Sequence, residues 1–485
     1  MSMLDPEVWA GKIHVNGWRA GSGGSRSVTE PATGDSLGEI GVATAEDVYE
    51  ASSKAAAAQQ DWAGRKPAER AAVLRRAGEL FEQHADEVKE WLVRETGGID
   101  AKAALEADIA AAECHEAAAL PTHPHGEVLT SNADHWSLAR RRPAGVVSVI
   151  SPFNFPLILS IRSVAPALAL GNAVLLKPDP RTTLSGGVSI MRVFEEAGLP
   201  EGLLQLLPGE ADTGKAVVDA PEVRIVSFTG STPAGRKIGQ AAAAHLKRAH
   251  LELGGNNAQI VLPGADVAKA ASAGAFGSFL HQGQICMATG RHLVHESLHD
   301  EYVAALADKA RTLPVGNPAT EQVAIGPIID EGQLKNIDSL VQQTVQAGAT
   351  LAAGGTHDGP YYHPTVLSGL TADMPAWREE IFGPVAPVLP FSTTDEAVEI
   401  VNSSAYGLSV SVLGNVGEAM PLADRIASGK IHINEQTVAD EANAPFGGWG
   451  DSGTGSRFGG AQANIDAFTE TQWLTMRPDI ADYPF

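Results

Sequence analysis

The chain carries two cysteines in 485 residues, and one of them lies in a context that favours chemistry. Cys286 follows a glycine-containing turn that comes after a predicted helix. Nucleophilic cysteines favour partly open positions of this kind, where a neighbouring group or an N–H dipole stabilises the thiolate. The alternative for Cys286, as for Cys114, is inert packing. We treat Cys286 as a candidate nucleophile.

Two polar side chains could complement this thiol. Glu252 stands among apolar and glycine residues, which would raise its pKa toward that of a general base, although a capping or ion-paired acid is the alternative. Asn154 follows a predicted strand, between Phe153 and Phe155, and offers an amide N–H that could face a developing oxyanion. A turn residue is the alternative for Asn154.

Signals for a cofactor site come from two strand ends. Residues 223–235 run from a strand through Gly230 and Ser231 into a helix with Pro233 in its first turn, so backbone N–H groups could meet a pyrophosphate. The spacing is not GxGxxG, and a plain strand-to-helix turn explains it equally well. Lys177 and Asp179 end an earlier strand, where a doubly wound fold would hold a ribose; a solvated ion pair is the alternative.

The elements that position these residues follow an α/β pattern. Short apolar runs predict buried strands, and the segments between them predict helices, near residues 146–150, 173–176, 203–207 and 223–228 for the strands and 157–170, 182–197 and 233–246 for the helices. This alternation predicts a parallel, doubly wound sheet, which binds ligands beyond the carboxyl ends of its strands. An apolar stripe over residues 68–93 predicts a surface helix, so the N-terminal third is expected to start helical.

A second α/β series predicts a second domain. Its helices are expected near 267–280, 298–312 and 334–347, and its strands near 385–389, 408–413 and 430–433. Two further segments, 120–141 and a loosely alternating strand at 465–476, are expected to be pairing arms for another subunit.

Composition excludes several classes of protein. Lys and Arg number 35 against 58 Asp and Glu, a net charge of −23, so nucleic acid is not an expected partner. Two cysteines without a CxxC pair, and histidines near Cys114 without ligand spacing, predict neither a disulfide framework nor a metal site. Asp5 and Glu7 do not fit a signal peptide, and prolines interrupt the most apolar region before it could span a membrane. We therefore expect a cytoplasmic protein.

Taken together, Asn154, Lys177, Gly230, Glu252 and Cys286 resemble the NAD(P)-dependent aldehyde dehydrogenase superfamily in identity, order and spacing, as do the motifs at 380–384 and 445–448. The resemblance covers nearly the whole chain. Residues 281–294 are most similar to benzaldehyde dehydrogenases and their vanillin and salicylaldehyde relatives.

The resemblance implies a Rossmann-type cofactor domain, an α/β catalytic domain and a small β oligomerisation arm. The implied limits are 1–119 and 142–252 for the cofactor domain, 253–444 for the catalytic domain, 120–141 and 463–485 for the arm, and 445–462 for a segment returning to the cofactor domain. A homodimer or homotetramer is the implied assembly.

The resemblance also implies oxidation of an aromatic aldehyde to its acid through a thiohemiacetal and a thioester on Cys286. The Asn154 amide would hold the oxyanion, and Glu252 would activate water. The implied cofactor-binding residues are Ser151, Phe153, Lys177, Asp179, Gly230, Ser231, Glu380 and Phe382. The implied substrate-binding residues are Phe155, Leu159, Arg162, Ile285, Met287, Val438 and Phe446, an apolar set in which Arg162 either forms a salt bridge elsewhere or meets a polar ring substituent.

One departure from the family pattern concerns the cofactor. Where many NAD-preferring members place Glu three residues after the lysine, this chain has Asp179-Pro180-Arg181. NAD is the favoured cofactor, with NADP an alternative because Arg181 could attract a 2′-phosphate. The alternative functions are an aliphatic or semialdehyde dehydrogenase, a thiol hydrolase or acyltransferase, and a non-catalytic binding protein.

Overall fold

The computed structural model describes residues 2–485. Up to residue 252 the strands are β1 (Lys12–His14), β2 (Trp18–Ala20), β3 (Ser25–Thr29), β4 (Ser36–Gly41), β5 (Gly126–Leu129), β6 (Trp136–Pro143), β7 (Val146–Ile150), β8 (Ala173–Lys177), β9 (Leu204–Leu206), β10 (Val223–Thr229) and β11 (Arg248–Glu252). The helices are α1 (Pro6–Trp9), α2 (Ala45–Gly64), α3 (Pro67–Gln83), α4 (Ala85–Thr96), α5 (Asp100–Ala119), α6 (Pro156–Ala169), α7 (Ser189–Glu196), α8 (Ala211–Asp219) and α9 (Thr232–Ala244).

After residue 252 the strands are β12 (Asn257–Val261), β13 (Thr289–His295), β14 (Thr350–Ala353), β15 (His357–Asp358), β16 (Tyr361–Tyr362), β17 (Thr365–Ser368), β18 (Val385–Phe391), β19 (Tyr406–Gly407), β20 (Ser409–Leu413), β21 (Lys430–Ile433), β22 (Trp449–Gly450) and β23 (Thr469–Met476). The helices are α10 (Val267–Phe279), α11 (His299–Thr312), α12 (Glu331–Gln346), α13 (Pro375–Arg378), α14 (Thr394–Asn402), α15 (Val416–Ala423) and α16 (Ala461–Phe468). The predicted α/β fold is confirmed.

The first sheet has seven strands in the order β11-β10-β7-β8-β9-β1-β2. The five strands from β11 to β9 are parallel, and β7 and β8 are buried along their whole length, which explains their continuous apolar runs. Ile150 pairs with both Lys177 and Phe228, and Thr229 pairs with Glu252. The chain segments after these strands therefore leave the sheet at one edge.

The second sheet also has seven strands, in the order β14-β17-β18-β13-β12-β20-β21, and only β14 runs antiparallel to its neighbour. Two apolar clusters pack on this sheet, one around Ile337 and Trp377 and the other around Tyr302 and Phe279. The limits of the predicted domains remain predictions.

A separate three-stranded antiparallel sheet, β23-β6-β5, joins the two predicted arms. The prediction of a strand from 465 was wrong for its first four residues. Residues 465–468 are helical, and Ile465 and Phe468 pack in the core of the first sheet, whose apolar contacts outweigh the weak alternation of the sequence.

Three expectations for the first half also need correction. The N-terminal third starts with β1–β4 and the single turn α1 rather than with long helices, and the helix expected over 68–93 is two helices that meet at His84. The helix expected near 182–197 begins as a π-helical turn, Leu184–Val188, before α7. No helix within residues 2–485 is long and apolar enough to cross a membrane.

Candidate active site

A cavity of about 470 Å³ opens at the carboxyl edge of the first sheet. Its wall contains all eight residues that the sequence proposes for cofactor binding: Ser151, Phe153, Lys177, Asp179, Gly230, Ser231, Glu380 and Phe382. Gln333 and Asn336 of α12 also line it, so both halves of the chain contribute.

A second cavity, of about 50 Å³, is narrow and lined mostly by apolar side chains. Its wall contains all seven residues proposed for substrate binding: Phe155, Leu159, Arg162, Ile285, Met287, Val438 and Phe446. Asn154, Leu159 and Cys286 line both cavities. The structure thus brings Asn154 and Cys286 together where the two cavities meet.

Asn154 is positioned by the start of α6. The Glu106 carboxylate is fully buried and accepts hydrogen bonds from the backbone N–H groups of Leu157 (3.1 Å) and Ile158 (3.4 Å), which satisfies two free donors of the first helical turn. Glu106 is also ion-paired with the fully buried Lys102, whose Nζ lies 4.5 Å from the centroid of the Phe155 ring. This buried pair supports the segment that carries Asn154.

Cys286 is positioned by a tightly held loop after α10. His281 and Gln282 adopt positive φ angles of 48° and 57°, and Gln282 Nε2 donates to the carbonyls of Gly97 and Pro327, each at 2.8 Å. Asn257 Nδ2 donates to the Cys286 carbonyl at 2.8 Å. The His281 ring packs edge to face against the Phe155 ring, with 5.4 Å between the ring centroids.

The acidity of the Cys286 thiol differs from the expectation. Burial raises the pKa of Cys286 to about 12, and the Glu380, Asp440 and Glu252 carboxylates add to this effect. Only Lys430 among the nearby charges opposes it. With the surrounding charges alone, the thiol keeps its proton at neutral pH, because the low polarity of the wall outweighs the positive charge. Cys114 is fully buried in the first core.

Glu252 lies at the end of β11 and lines neither cavity. Its Oε2 accepts a 3.3 Å hydrogen bond from the Gly448 N–H, while Oε1 is buried without a partner. Burial raises the pKa of Glu252 well above its ordinary value, as the sequence led us to expect. Such a carboxyl takes up a proton more readily than an exposed one.

The Arg181 guanidinium forms ion pairs with two carboxylates, those of Asp179 and Asp330. Its Nε and Nη2 donate to the two carboxylate oxygens of Asp179 (2.9 and 2.8 Å), its Nη1 donates to Asp330 at 2.6 Å, and its Cζ lies 4.2 Å from the Phe153 ring centroid. The sequence led us to expect that Arg181 could attract a 2′-phosphate. In the structure two carboxylates neutralise its guanidinium, which weakens that attraction. Lys177 Nζ donates only to the Pro178 carbonyl, at 3.2 Å.

Glu380 and Phe382 also line the larger cavity. Glu380 accepts a 3.0 Å hydrogen bond from the Gly255 N–H, and burial raises its pKa to about 7. A Cβ on Gly254 would lie 2.1 Å from Glu380 Oε2, so a side chain at this position would displace the Glu380 carboxylate. Phe382 has a φ of 53°, and its ring meets Phe153 edge to face at 5.8 Å.

Arg162 forms the salt bridge that was expected and still lines the apolar cavity. Its Nε donates to Glu113 at 2.9 Å and its Nη2 donates to Asp440 at 2.7 Å, while Nη1 is buried without an acceptor. Its Cζ lies 5.0 Å from the Phe446 ring centroid. The guanidinium thus keeps one unused donor.

Sequence reasoning missed several residues of the site. Leu105, Ile109, Ile158, Leu280 and Asp440 line the apolar cavity, and Gln333 and Asn336 line the larger one. Glu106 and Lys430, which were also missed, lie near the site but line neither cavity. A charged residue at the start of β21, whose sequence is Lys-Ile-His-Ile, was the one available signal for Lys430.

Comparison with known proteins agrees with this geometry. The model of the aldehyde dehydrogenase family matches residues 18–474. The chain belongs to the aldehyde dehydrogenase family. A vanillin dehydrogenase of Amycolatopsis sp. is 61% identical over 100% of both chains, and a benzaldehyde dehydrogenase [NAD(+)] of Pseudomonas putida is 46% identical over 99% of this chain and 98% of its own.

Among solved structures, this aldehyde dehydrogenase family member is similar to a salicylaldehyde dehydrogenase from Pseudomonas putida G7 in complex with salicylaldehyde. The TM-score is 0.94 at 36% identity, over 98% of this chain and 99% of the other. The resemblance to this family stated on the sequence motifs is confirmed.

Proposed function

We propose that this protein oxidises an aromatic aldehyde to the carboxylic acid, with NAD as the hydride acceptor and Cys286 as the nucleophile. The observation that carries the proposal is the position of Cys286 and Asn154 at the junction of a narrow apolar cavity and a larger cavity that also carries charged side chains. The names of the vanillin and benzaldehyde relatives support the aromatic substrate and NAD.

The donors around the larger cavity fit a dinucleotide. The N-terminus of α9 after Gly230 and Ser231 suits a pyrophosphate, and the Lys177 ammonium suits ribose hydroxyls. The Glu380 carboxylate could accept hydrogen bonds from a second ribose, beside the rings of Phe153 and Phe382. The nicotinamide group, when bound, supplies the acceptor for the hydride that leaves the substrate carbon.

In the first step, the Cys286 thiol gives its proton to a water molecule and its sulfur bonds to the aldehyde carbon. The carbonyl π electrons move to oxygen, and the Asn154 amide N–H and the Cys286 backbone N–H would hold the resulting oxyanion. The product is a tetrahedral thiohemiacetal on Cys286. A preorganised amide at this point contributes because it needs no rearrangement when the charge develops.

In the last step, water attacks the thioester that remains on Cys286 after loss of the hydride. Glu252 would accept a proton from this water, and the carbon–sulfur bond would break to release the acid and return Cys286 as its thiolate. Because burial raises the pKa of Glu252, its carboxylate is a stronger base than an exposed one. Because Glu252 lines neither cavity, it would act from behind the Cys286 loop, through a water molecule or after a change of its side-chain rotamer.

The apolar cavity suits a flat ring. Phe155, Leu159, Ile285, Met287, Val438 and Phe446 would enclose the ring, with Arg162 as the polar exception. Burial of such a ring is favourable at roughly 25 cal/mol per Å² of apolar surface removed from water.

We further propose a homodimer or homotetramer built through the β23-β6-β5 sheet. Trp136, Trp473, Val128 and Met476 of this sheet are exposed apolar side chains. Apolar area of this kind on an open sheet is typical of a surface that another subunit covers.

The test is reduction of the nicotinamide cofactor by the purified protein with benzaldehyde, vanillin and a short aliphatic aldehyde, each with NAD and with NADP. We expect faster reduction with the aromatic aldehydes and with NAD. Preference for the aliphatic aldehyde would overturn the aromatic assignment. Ester hydrolysis without any cofactor reduction would favour a thiol hydrolase instead.

A further inference from the structure

A buried lysine lies beside the segment that carries Cys286. Lys430 is the first residue of β21, and one tenth of its side chain is exposed. Its Nζ lies 3.2 Å from Sδ of Met287, the residue after Cys286, and donates a hydrogen bond to the Ala439 carbonyl. Burial disfavours an ammonium ion, so a lysine at this position must be stabilised by charges or dipoles around it.

No carboxylate accepts a hydrogen bond from the Lys430 ammonium. The nearest acidic oxygen is Asp440 Oδ1, at 3.8 Å, which is too long for a hydrogen bond. The other oxygen of Asp440 accepts the 2.7 Å hydrogen bond from Arg162. Two cations therefore share Asp440, and the charge of Lys430 is only partly neutralised.

The ammonium is also held by the aromatic wall. Lys430 Nζ lies 4.9 Å from the centroid of the Phe446 ring, and Arg162 Cζ lies 5.0 Å from the same centroid. Phe446 and Cys286 line the same cavity. Contacts with Met287, Ala439 and Phe446 thus hold the lysine behind the wall in which the thiol lies.

The charges that face Cys286 come from four residues. Glu380, Asp440 and Glu252 raise the pKa of the thiol, whereas Lys430 lowers it. The charges that face Lys430 are those of Asp440, Arg162, Cys286 and Glu252, and attraction to the Cys286 thiolate raises the pKa of the lysine against the effect of burial. The two groups therefore stabilise each other's charged forms.

We infer that Lys430 is a positioning residue for the nucleophile, whose ammonium stabilises the thiolate of Cys286 across the wall formed by Met287 and Phe446. It would act before any aldehyde binds, and it is separate from the oxyanion contacts of Asn154. The inference rests on Cys286 being the reactive thiol of the proposed function.

The test is the rate of Cys286 alkylation by iodoacetamide as a function of pH, measured on the full-length protein without aldehyde or cofactor. A Cys286→Ala variant gives the background from Cys114. In Lys430→Met we expect the apparent pKa of Cys286 to rise by about one unit, which slows alkylation about tenfold below that pKa. Lys430→Arg should restore the profile, because it keeps the positive charge.

Two further variants keep the inference testable. Asp440→Asn removes a negative charge near the thiol and should shift the Cys286 profile to lower pH, the direction opposite to Lys430→Met. Lys335→Met removes an exposed cation of α12 and should leave the profile in place. If Lys430→Met folds and its profile coincides with that of the unmodified protein, or if Asp440→Asn does not lower it, the inference is overturned.

The assay separates this inference from the proposed function. A shifted alkylation profile in a protein that oxidises no aldehyde would refute the proposed function and leave the role of Lys430 intact. Aldehyde oxidation with an unshifted profile would do the reverse.

Discussion

Arg181 Nη1 donates to Asp330 Oδ2 at 2.6 Å and joins the segment after β8 to the N-terminus of α12. The same guanidinium is bonded to Asp179 and stacks on Phe153. One ion pair thus joins the two halves of the chain beside the larger cavity and reduces the positive charge that Arg181 offers to the expected ribose site.

This ion pair predicts a preference for NAD that can be weakened. Asp330→Asn removes one of the two charges that neutralise Arg181, while Asn remains a good helix N-cap. We expect the ratio of kcat/KM with NADP to that with NAD to rise several-fold. A tenfold rise would correspond to about 1.4 kcal/mol. Glu331→Gln, the same loss of charge one residue away, should leave the ratio unchanged. A ratio that responds equally to both changes would contradict the account.

The raised pKa of Glu252 predicts the acid limb of the pH profile. The base form is lost as pH falls through this pKa, so thioester hydrolysis should fail well above pH 4.5, the ordinary value for Glu. Glu252→Gln should still reduce about one cofactor per site in the first turnover. Its steady-state rate should fall about 10²–10⁴-fold, which is the usual contribution of a general base. Rapid-mixing absorbance measures both phases. An unchanged steady-state rate would exclude Glu252 as the base.

The free Nη1 of Arg162 predicts selectivity for oxygenated rings. A hydrogen bond from a buried guanidinium to a ring hydroxyl contributes about 1.5–3 kcal/mol, so at least one of the three hydroxybenzaldehydes should exceed benzaldehyde tenfold or more in kcat/KM. The double variant Arg162→Met/Glu113→Gln should abolish this ratio without leaving Glu113 as an unpaired buried charge. Lys430→Met, which removes the other cation beside Phe446, is the matched control and should keep the ratio. Equal kcat/KM for all four aldehydes in the unmodified protein would refute this role.

The buried Lys102–Glu106 pair predicts a link between stability and the Asn154 segment. Lys102→Met leaves the Glu106 carboxylate unpaired and should cost about 3–5 kcal/mol in the free energy of unfolding, seen as a lower urea midpoint. Lys102→Met/Glu106→Gln removes both charges and keeps an acceptor for the Leu157 and Ile158 N–H groups, so most of the loss should be recovered. If the double variant is no more stable than the single one, the charge imbalance is not the cause.

The sequence predicted the elements whose signals are local. The strand Val146–Ile150 was placed at its observed limits because it is buried on both faces and every residue but one is apolar. Strands β11 and β13 were missed because they carry polar residues such as Arg248, His250 and Arg291. Their partners lie far away in sequence: His250 bonds to Ser456, and Arg291 bonds to the Ile400 carbonyl.

The candidate site followed the same rule. Its residues were proposed from strand ends, from the cysteine motif and from the resemblance to the family, and all of them except Glu252 line one of the two cavities. The partners of Arg162 could not, because Glu113 and Asp440 are separated from it by 49 and 278 residues. The acidity of Cys286 was also beyond the sequence, since its raised pKa depends on how far the fold buries the thiol and on the carboxylates placed near it.

The most direct measurement is mass spectrometry of the Glu252→Gln protein, quenched after rapid mixing with benzaldehyde and NAD. The account predicts one benzoyl group per chain, on the peptide that contains Cys286, together with one equivalent of reduced cofactor. It also predicts no adduct and no reduction in Cys286→Ala, although NAD still binds. Cofactor reduction in Cys286→Ala, or an acyl group on any other residue, would contradict the account.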